Sequence, residues 1–211
     1  MTGKTKLFIS IIIASVLWFW MFSPWTSGSV SFWVCMSCSA VILTVLAFLW
    51  GGRPDLTYRR IRKMMPQIPI GIFIAFALWG IFWVGYKLSG MMFDFAGGQV
   101  DAVYGMKDGS SPAVIALLLL FLIGPAEEYF WRGYVQKTLT GSVGPTVAMV
   151  ITAIIYALVH IWSFNFMLVM AALVAGSVWG LIYRLKPSLL PALVLSHALW
   201  DALVFVILPI G

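Results

Sequence analysis

The sequence predicts an all-α, polytopic membrane helical bundle of about seven transmembrane helices, and three observations predict it. Charged residues make up 9% of the 211 positions and hydrophobic ones 62%, whereas a water-soluble domain carries about a quarter charged residues. The apolar residues gather in seven continuous runs, most of them near the roughly 20 residues that an α-helix needs to cross about 30 Å of hydrocarbon. The basic residues cluster between those runs on alternate sides. Outer-membrane strands would alternate apolar and polar residues instead, and these runs do not. The runs take up the whole of 1–211 as a single membrane domain, with three spans and an outer loop in 1–111 and a four-span core in 112–208.

The first run, 7–22, follows Lys4 and Lys6. It is long for the apolar part of a secretory signal and no small-x-small cleavage site follows it, so it reads as a retained anchor. The second, 30–50, carries Cys35 and Cys38 in a C-x-x-C spacing. With no second thiol pair and no nearby histidine, these read as small residues of a span rather than a redox or metal pair. Gly51, Gly52 and Pro54 end that run and open a basic segment, 58–65, suited to lie amphipathically on the cytoplasmic surface. The third run is 68–86. The connection after it, 87–111, contains Gly97, Gly98, Gly105 and Gly109 and reads as a flexible outer loop. Ser111 and Pro112 make a good helix start, a hydroxyl cap followed by a residue whose missing N–H costs nothing in the first turn. The fourth run, 113–136, holds Pro125, which removes a backbone hydrogen bond and should kink the helix. Gly141, Ser142, Gly144 and Pro145 turn the chain into the fifth run, 145–162, and the sixth and seventh follow at 166–183 and 189–208.

The formal charge of +6 is a matter of topology. With a cytoplasmic N-terminus, Lys4, Lys6, Arg53, Arg59, Arg60, Arg62, Lys63, Arg132, Lys137, Arg184 and Lys186 all fall at cytoplasmic ends, and Lys87 and Lys107 lie outside with Asp94, Asp101 and Asp108. The positive-inside rule then places the C-terminus outside. The basic excess carries none of the aromatic or glycine patterning of a nucleic-acid surface, so the expected surroundings are a lipid bilayer and no nucleic acid is expected as a partner. The eleven tryptophans suit interfacial belts and lipid-facing packing.

An ionisable residue inside a span costs about 2.5–3.5 kcal/mol on insertion scales, so each is a candidate for function unless it is paired structurally. Here they are Glu127, Glu128 and Arg132 on the fourth span, His160 on the fifth, and His197 and Asp201 on the seventh; both glutamates and both histidines of the chain are among them. At 1.5 Å rise per residue, counted from the cytoplasmic ends, Glu127 lies about 15 Å deep, His197 about 16 Å, and His160 and Asp201 about 22 Å. Neighbouring helices can therefore bring them together. Glu128 and Arg132 stand four apart on one face, in the favourable Glu-before-Arg order, while Glu127 points about 100° away and is free for another partner. His197 and Asp201 share a face by the same spacing. Tyr156 sits one turn before His160.

These residues resemble a known family. Glu127-Glu128-Tyr-Phe-Trp-Arg132 matches an E-E-x-x-x-R motif, His160 the lone histidine of the next motif, and His197-Ala-Leu-Trp-Asp201 the pattern H-x-x-x-N/D. In this order on successive spans they look like the CPBP family of intramembrane proteases, which includes type II CAAX prenyl endopeptidases and bacteriocin-processing and self-immunity proteins. The resemblance covers roughly 112–208; the first three spans match in general character only. One departure is Tyr156, where the family's F-x-x-x-H pattern has phenylalanine.

The resemblance implies an intramembrane endopeptidase in which Glu127 and His160 activate water and His197 and Asp201 support the tetrahedral intermediate. An ionised aspartate cannot donate to an oxyanion, so Asp201 is expected to orient His197 through a ring N–H. Glu128 and Arg132 read as a buried ion pair, with Tyr156 in support. Two histidines and two carboxylates could also compose a zinc set, but no H-E-x-x-H helix is present and the family is treated as glutamic, so no metal or cofactor is expected. The expected partner is a membrane-associated peptide or protein substrate, and the sequence does not speak to oligomeric state. The minimal loops suggest a prokaryotic cell membrane. A CAAX substrate would enter from the cytoplasmic side, whereas a processing or immunity protease could take a leader peptide or a sorting helix. Buried Glu, His and Asp relays also mark proton-coupled transporters, whose inverted repeat is not evident here, and a non-catalytic immunity or scaffold protein could keep the same bundle.

Overall fold

Among the residues that the computed structural model describes, 1–51 and 64–210, seven helices are long and apolar enough to cross a membrane and no strand is present. Most of the expected amphipathic segment, with Arg53, Asp55, Arg59, Arg60, Arg62 and Lys63, lies outside the described residues. The chain is an all-α integral multi-pass membrane protein. Its helices are α1 (Gly3–Phe22), α2 (Phe32–Gly51), α3 (Ile68–Met92), the short outer α4 (Ala96–Gly105), α5 (Pro112–Val143), α6 (Pro145–Leu158), α7 (Phe166–Leu185) and α8 (Leu190–Ala202). Large apolar side chains such as Phe8, Leu49, Phe73 and Phe121 point outward from the bundle. In water that surface would be untenable, and in a bilayer it is the lipid-facing wall.

Helix α5 is the hub, packing on α2, α6 and α8. Its approach to α8 depends on Gly124, where an added Cβ would stand 2.7 Å from Ala198 Cα. Small residues let membrane helices pack at backbone distance. Here that contact lays the turn bearing Glu127 and Glu128 against the turn bearing His197. Gly71 does the same for α3 on α8, where a Cβ would come within 2.8 Å of the Ala192 carbonyl oxygen.

Around Pro125, where the sequence expects a break, the turns of the helix are widened. Leu119–Ile123 and Tyr129–Gln136 are π-helical, and between them Gly124–Glu128 keeps the α-helical pitch. A π turn ahead of the proline accommodates its missing N–H, and such turns recur at functional sites. The chain tightens instead at the end of α6, where Val159–Ser163 is a 3-10 turn around His160. Phe164 then takes a left-handed conformation with φ of 50°, uncommon for a residue with a side chain, and Asn165 caps α7 by accepting from the Leu168 N–H at 2.9 Å.

Three local expectations change. The outer connection is not a featureless loop, because 96–105 folds into α4 despite its glycines. Ala96, Val100, Val103 and Tyr104 turn inward over the bundle. Ser111 occupies the N-cap position of α5, but its side chain makes no capping hydrogen bond there. The fourth span runs on to Val143, so only Gly144, with φ of 81°, makes the turn into α6. Cys35 and Cys38 are free thiols, Cys38 facing outward.

Candidate active site

The charge pair anticipated from spacing forms on α5. Arg132 donates to Glu128 Oε1, both side chains fully buried. The guanidinium also donates to the Gly176 carbonyl of α7 at 3.0 Å and lies between the rings of Tyr156 and Trp179, 5.1 and 5.3 Å from their centroids. A planar, weakly hydrated cation suits such stacking, and an ammonium would not reproduce it. Gly176 permits the arrangement, since a Cβ there would meet Tyr156 Cδ1 at 2.8 Å.

Glu127 turns away from that pair, as the helical offset predicts, and its Oε2 accepts from the Tyr156 hydroxyl at 2.9 Å. Tyr156 also reaches His160, whose Nδ1 lies 2.8 Å from the Tyr156 carbonyl oxygen. A carbonyl only accepts, so Nδ1 carries the proton and Nε2 is the free lone pair. That lone pair receives the indole N–H of Trp18, on α1, at 3.1 Å. The hydroxyl that distinguishes this chain from the F-x-x-x-H pattern therefore lands on Glu127.

His197 stands between two carboxyl groups. Its Nδ1 is 3.1 Å from Glu128 Oε1 and its Nε2 is 3.5 Å from Asp201 Oδ2. The shorter contact is to Glu128, so orientation of the ring, expected from Asp201, comes at least as much from the partner of Arg132. Trp179 stacks on the imidazole with ring centroids 4.0 Å apart, held in turn by its N–H donated to Ser196 at 3.2 Å.

Glu127, Tyr156, His160, His197 and Asp201 all line one cavity of about 530 Å³. Glu128 and Arg132 sit behind its wall. Apart from this polar group, the lining is largely aliphatic and aromatic, drawn from α1, α2, α3, α4, α5, α7 and α8 as well as α6. The sequence reading missed Trp18, Trp179 and Gly176. Trp18 is one tryptophan among eleven, and only the cross-helix contact marks it out. Among the described residues no three of His, Cys, Asp and Glu are placed to hold a metal ion.

Residues 109–203 match the sequence model of a family described as type II CAAX prenyl endopeptidase Rce1-like. Over that segment, somewhat less than half of its length, the chain is similar to this Rce1-like family. The matched stretch contains Glu127, Glu128, Arg132, Tyr156, His160, His197 and Asp201 and excludes α1, α2 and α3, so Trp18 reaches the site from outside it. The family is one of proteases, and intramembrane endopeptidase activity is the general activity it suggests. No curated protein and no solved structure matches the chain.

Proposed function

We propose that the protein is an intramembrane endopeptidase that hydrolyses a peptide bond of a membrane-associated protein or peptide with water activated by Glu127 and His160. The observation that carries this reading is the convergence of Glu127, His160, His197 and Asp201 on a single apolar cavity within the spans. Glu127 is the general base: it is on the cavity wall, and the Tyr156 hydroxyl leaves its other oxygen for water. A positioned base of this kind contributes about 10²- to 10⁴-fold in rate. His160 holds the water from the opposite side when its Nε2 exchanges the Trp18 N–H for it. His197, steadied by Glu128 at Nδ1 and by stacking on Trp179, supports the oxyanion through its Nε2 side with Asp201 helping to orient the ring, a contribution of about 2.7–4 kcal/mol for a well-aimed donor. The reading uses no metal and no cofactor.

The excess of lysine and arginine at one set of helix ends supports a cytoplasmic N-terminus and an outer C-terminus, in what the compact loops suggest is a prokaryotic cell membrane. The test is cleavage of a palmitoylated, internally quenched peptide in bilayer discs by the purified protein and by Glu127→Ala, His160→Ala and His197→Ala. Loss of cleavage in folded Glu127→Ala supports the assignment. Full cleavage without Glu127 overturns it.

A further inference from the structure

The cavity has a floor, a roof and an open side. Its polar floor is the Glu127, Tyr156 and His197 cluster near mid-span, and among the described residues the rest of the lining belongs to the helix halves remote from Lys4, Lys6, Lys137, Arg184 and Lys186. On α3 those are Ile81, Phe82, Gly85, Tyr86 and Ser89; on α7 they run no deeper than Ala175. The roof is α4, which contributes Val100, Val103 and Tyr104.

Four attachments secure that roof. The Gln99 carbonyl accepts from Asn165 at 2.7 Å while its side chain accepts from the Met167 N–H at 3.0 Å. The Tyr104 hydroxyl accepts from the Ile210 N–H at 2.8 Å. Lys107 donates to the Phe205 carbonyl at 3.3 Å, and Trp33 donates to the Met106 carbonyl at 3.1 Å. Burial raises the pKa of the Tyr104 phenol above its ordinary value, so that attachment stays neutral across the working range. Direct access from water at this end is therefore covered.

The side wall is different. Helix α3 packs along α8 and scarcely touches α7. Ile81 and Phe166 both line the cavity and are nearly half exposed. One turn beyond Ile81 on α3, Gly85 also lines the cavity and is exposed, and an added Cβ there would meet nothing within 4 Å. Where two helices scarcely touch and the cavity lining between them carries a bare glycine, the wall has a gap toward the bilayer.

We infer that the substrate reaches the cavity sideways, through the gap between α3 and α7 at Gly85, from the leaflet opposite the basic helix ends, and that it is an apolar peptide segment already lodged in that leaflet. The substrate class rests on the endopeptidase reading; the gap itself does not. The lining argues for the apolar segment, because a charged or strongly hydrated peptide would lose its water against this wall with no lysine or arginine among the described lining residues to receive it. It also sets the site apart from a prenylated C-terminal peptide arriving at the cytoplasmic face, since the floor, with Glu128 and Arg132 packed behind it, closes the cavity toward that face.

The experiment has two arms on the full chain in phosphatidylcholine bilayers. In the first, a phosphatidylcholine carrying a diazirine on its acyl chain is exchanged into one leaflet at a time, and photolabelling of Glu127, Trp200 and Asp201, all buried on the cavity wall, is mapped by mass spectrometry. Labelling is expected from the leaflet opposite the basic ends. Gly85→Trp should lower it about tenfold or more, and Gly80→Trp, on the same helix but off the cavity, should leave it unchanged. In the second arm, cleavage of the palmitoylated peptide should fall in parallel in Gly85→Trp only. Gly85→Leu serves if the tryptophan impairs folding. Labelling from the basic-end leaflet, or labelling and cleavage indifferent to Gly85→Trp, overturns the inference. A wild-type protein that cleaves no peptide sinks the endopeptidase reading, and the labelling arm still decides the gap.

Discussion

Trp18 donates its indole N–H to Nε2 of His160 across 3.1 Å, so α1, outside the family-matched stretch, completes the hydrogen bonding of a candidate catalytic ring. Trp18→Phe keeps most of the bulk and leaves the Nε2 lone pair buried without a donor. A buried unpaired acceptor costs about 1–3 kcal/mol. A double-mutant cycle of Trp18→Phe with His160→Ala should show a coupling of about 0.5–3 kcal/mol in denaturant unfolding. Additive losses would mean that the contact carries no energy.

Tyr156→Phe restores the residue of the family pattern and deletes one hydrogen bond to Glu127. Stability should fall by about 0.5–1.5 kcal/mol. Cleavage should survive, with kcat/KM within about tenfold of the parent, because the base and the floor remain in place. Measurement of kcat and KM separately checks this; loss comparable to that of Glu127→Ala would make the hydroxyl part of the chemistry.

Arg132 and Glu128 should be far less tolerant of one-sided change. Arg132→Met leaves a buried carboxylate without its cation, and breaking a buried pair in this way costs about 3–5 kcal/mol. Arg132→Lys should recover little, since an ammonium cannot at once reach Glu128, reach the Gly176 carbonyl and stack between two rings. Thermal unfolding in detergent of both variants reads the difference.

Glycine positions give a contrast that needs no substrate. Gly124→Ala places a carbon 2.7 Å from the Ala198 backbone and should destabilise by about 1–3 kcal/mol through overpacking. Gly80→Ala and Gly85→Ala meet nothing within 4 Å and should be neutral or slightly stabilising, as helix propensity alone would have it. Equal melting temperatures for all three would remove the close α5–α8 contact from the account.

Chelation tests the metal-free reading. Treatment with 1,10-phenanthroline should leave kcat/KM unchanged. Inhibition that zinc alone reverses would put a metal in the reaction.

The parts legible in the sequence are those governed by one helix at a time. Hydropathy and length marked the seven spans, the four-residue offset paired Glu128 with Arg132, and the 100° offset freed Glu127. What escaped depends on contacts between helices. The link from His197 to Glu128 joins residues 69 apart in sequence, and no spacing rule on α8 alone distinguishes it from the bond to Asp201. Helix α4 escaped because Gly97, Gly98 and Gly105 weigh against a helix locally, and only the cavity beneath gives its apolar side a reason to form. The ring contacts of Trp179 were hidden for the same reason as those of Trp18: aromatic residues are so common in this chain that none stands out before packing selects it.

The placement of Arg132 on the same helix as Glu128 bears on biogenesis. Helix α5 carries both members of the pair into the bilayer together, so its costliest charges can neutralise one another within the segment itself, before any later helix arrives. The second contact of Glu128, to His197, waits for α8, which is made after α5, α6 and α7. During synthesis the nascent chain can thus hold its ion pair while His197 is still missing, and the polar floor of the cavity is assembled only when the last span docks.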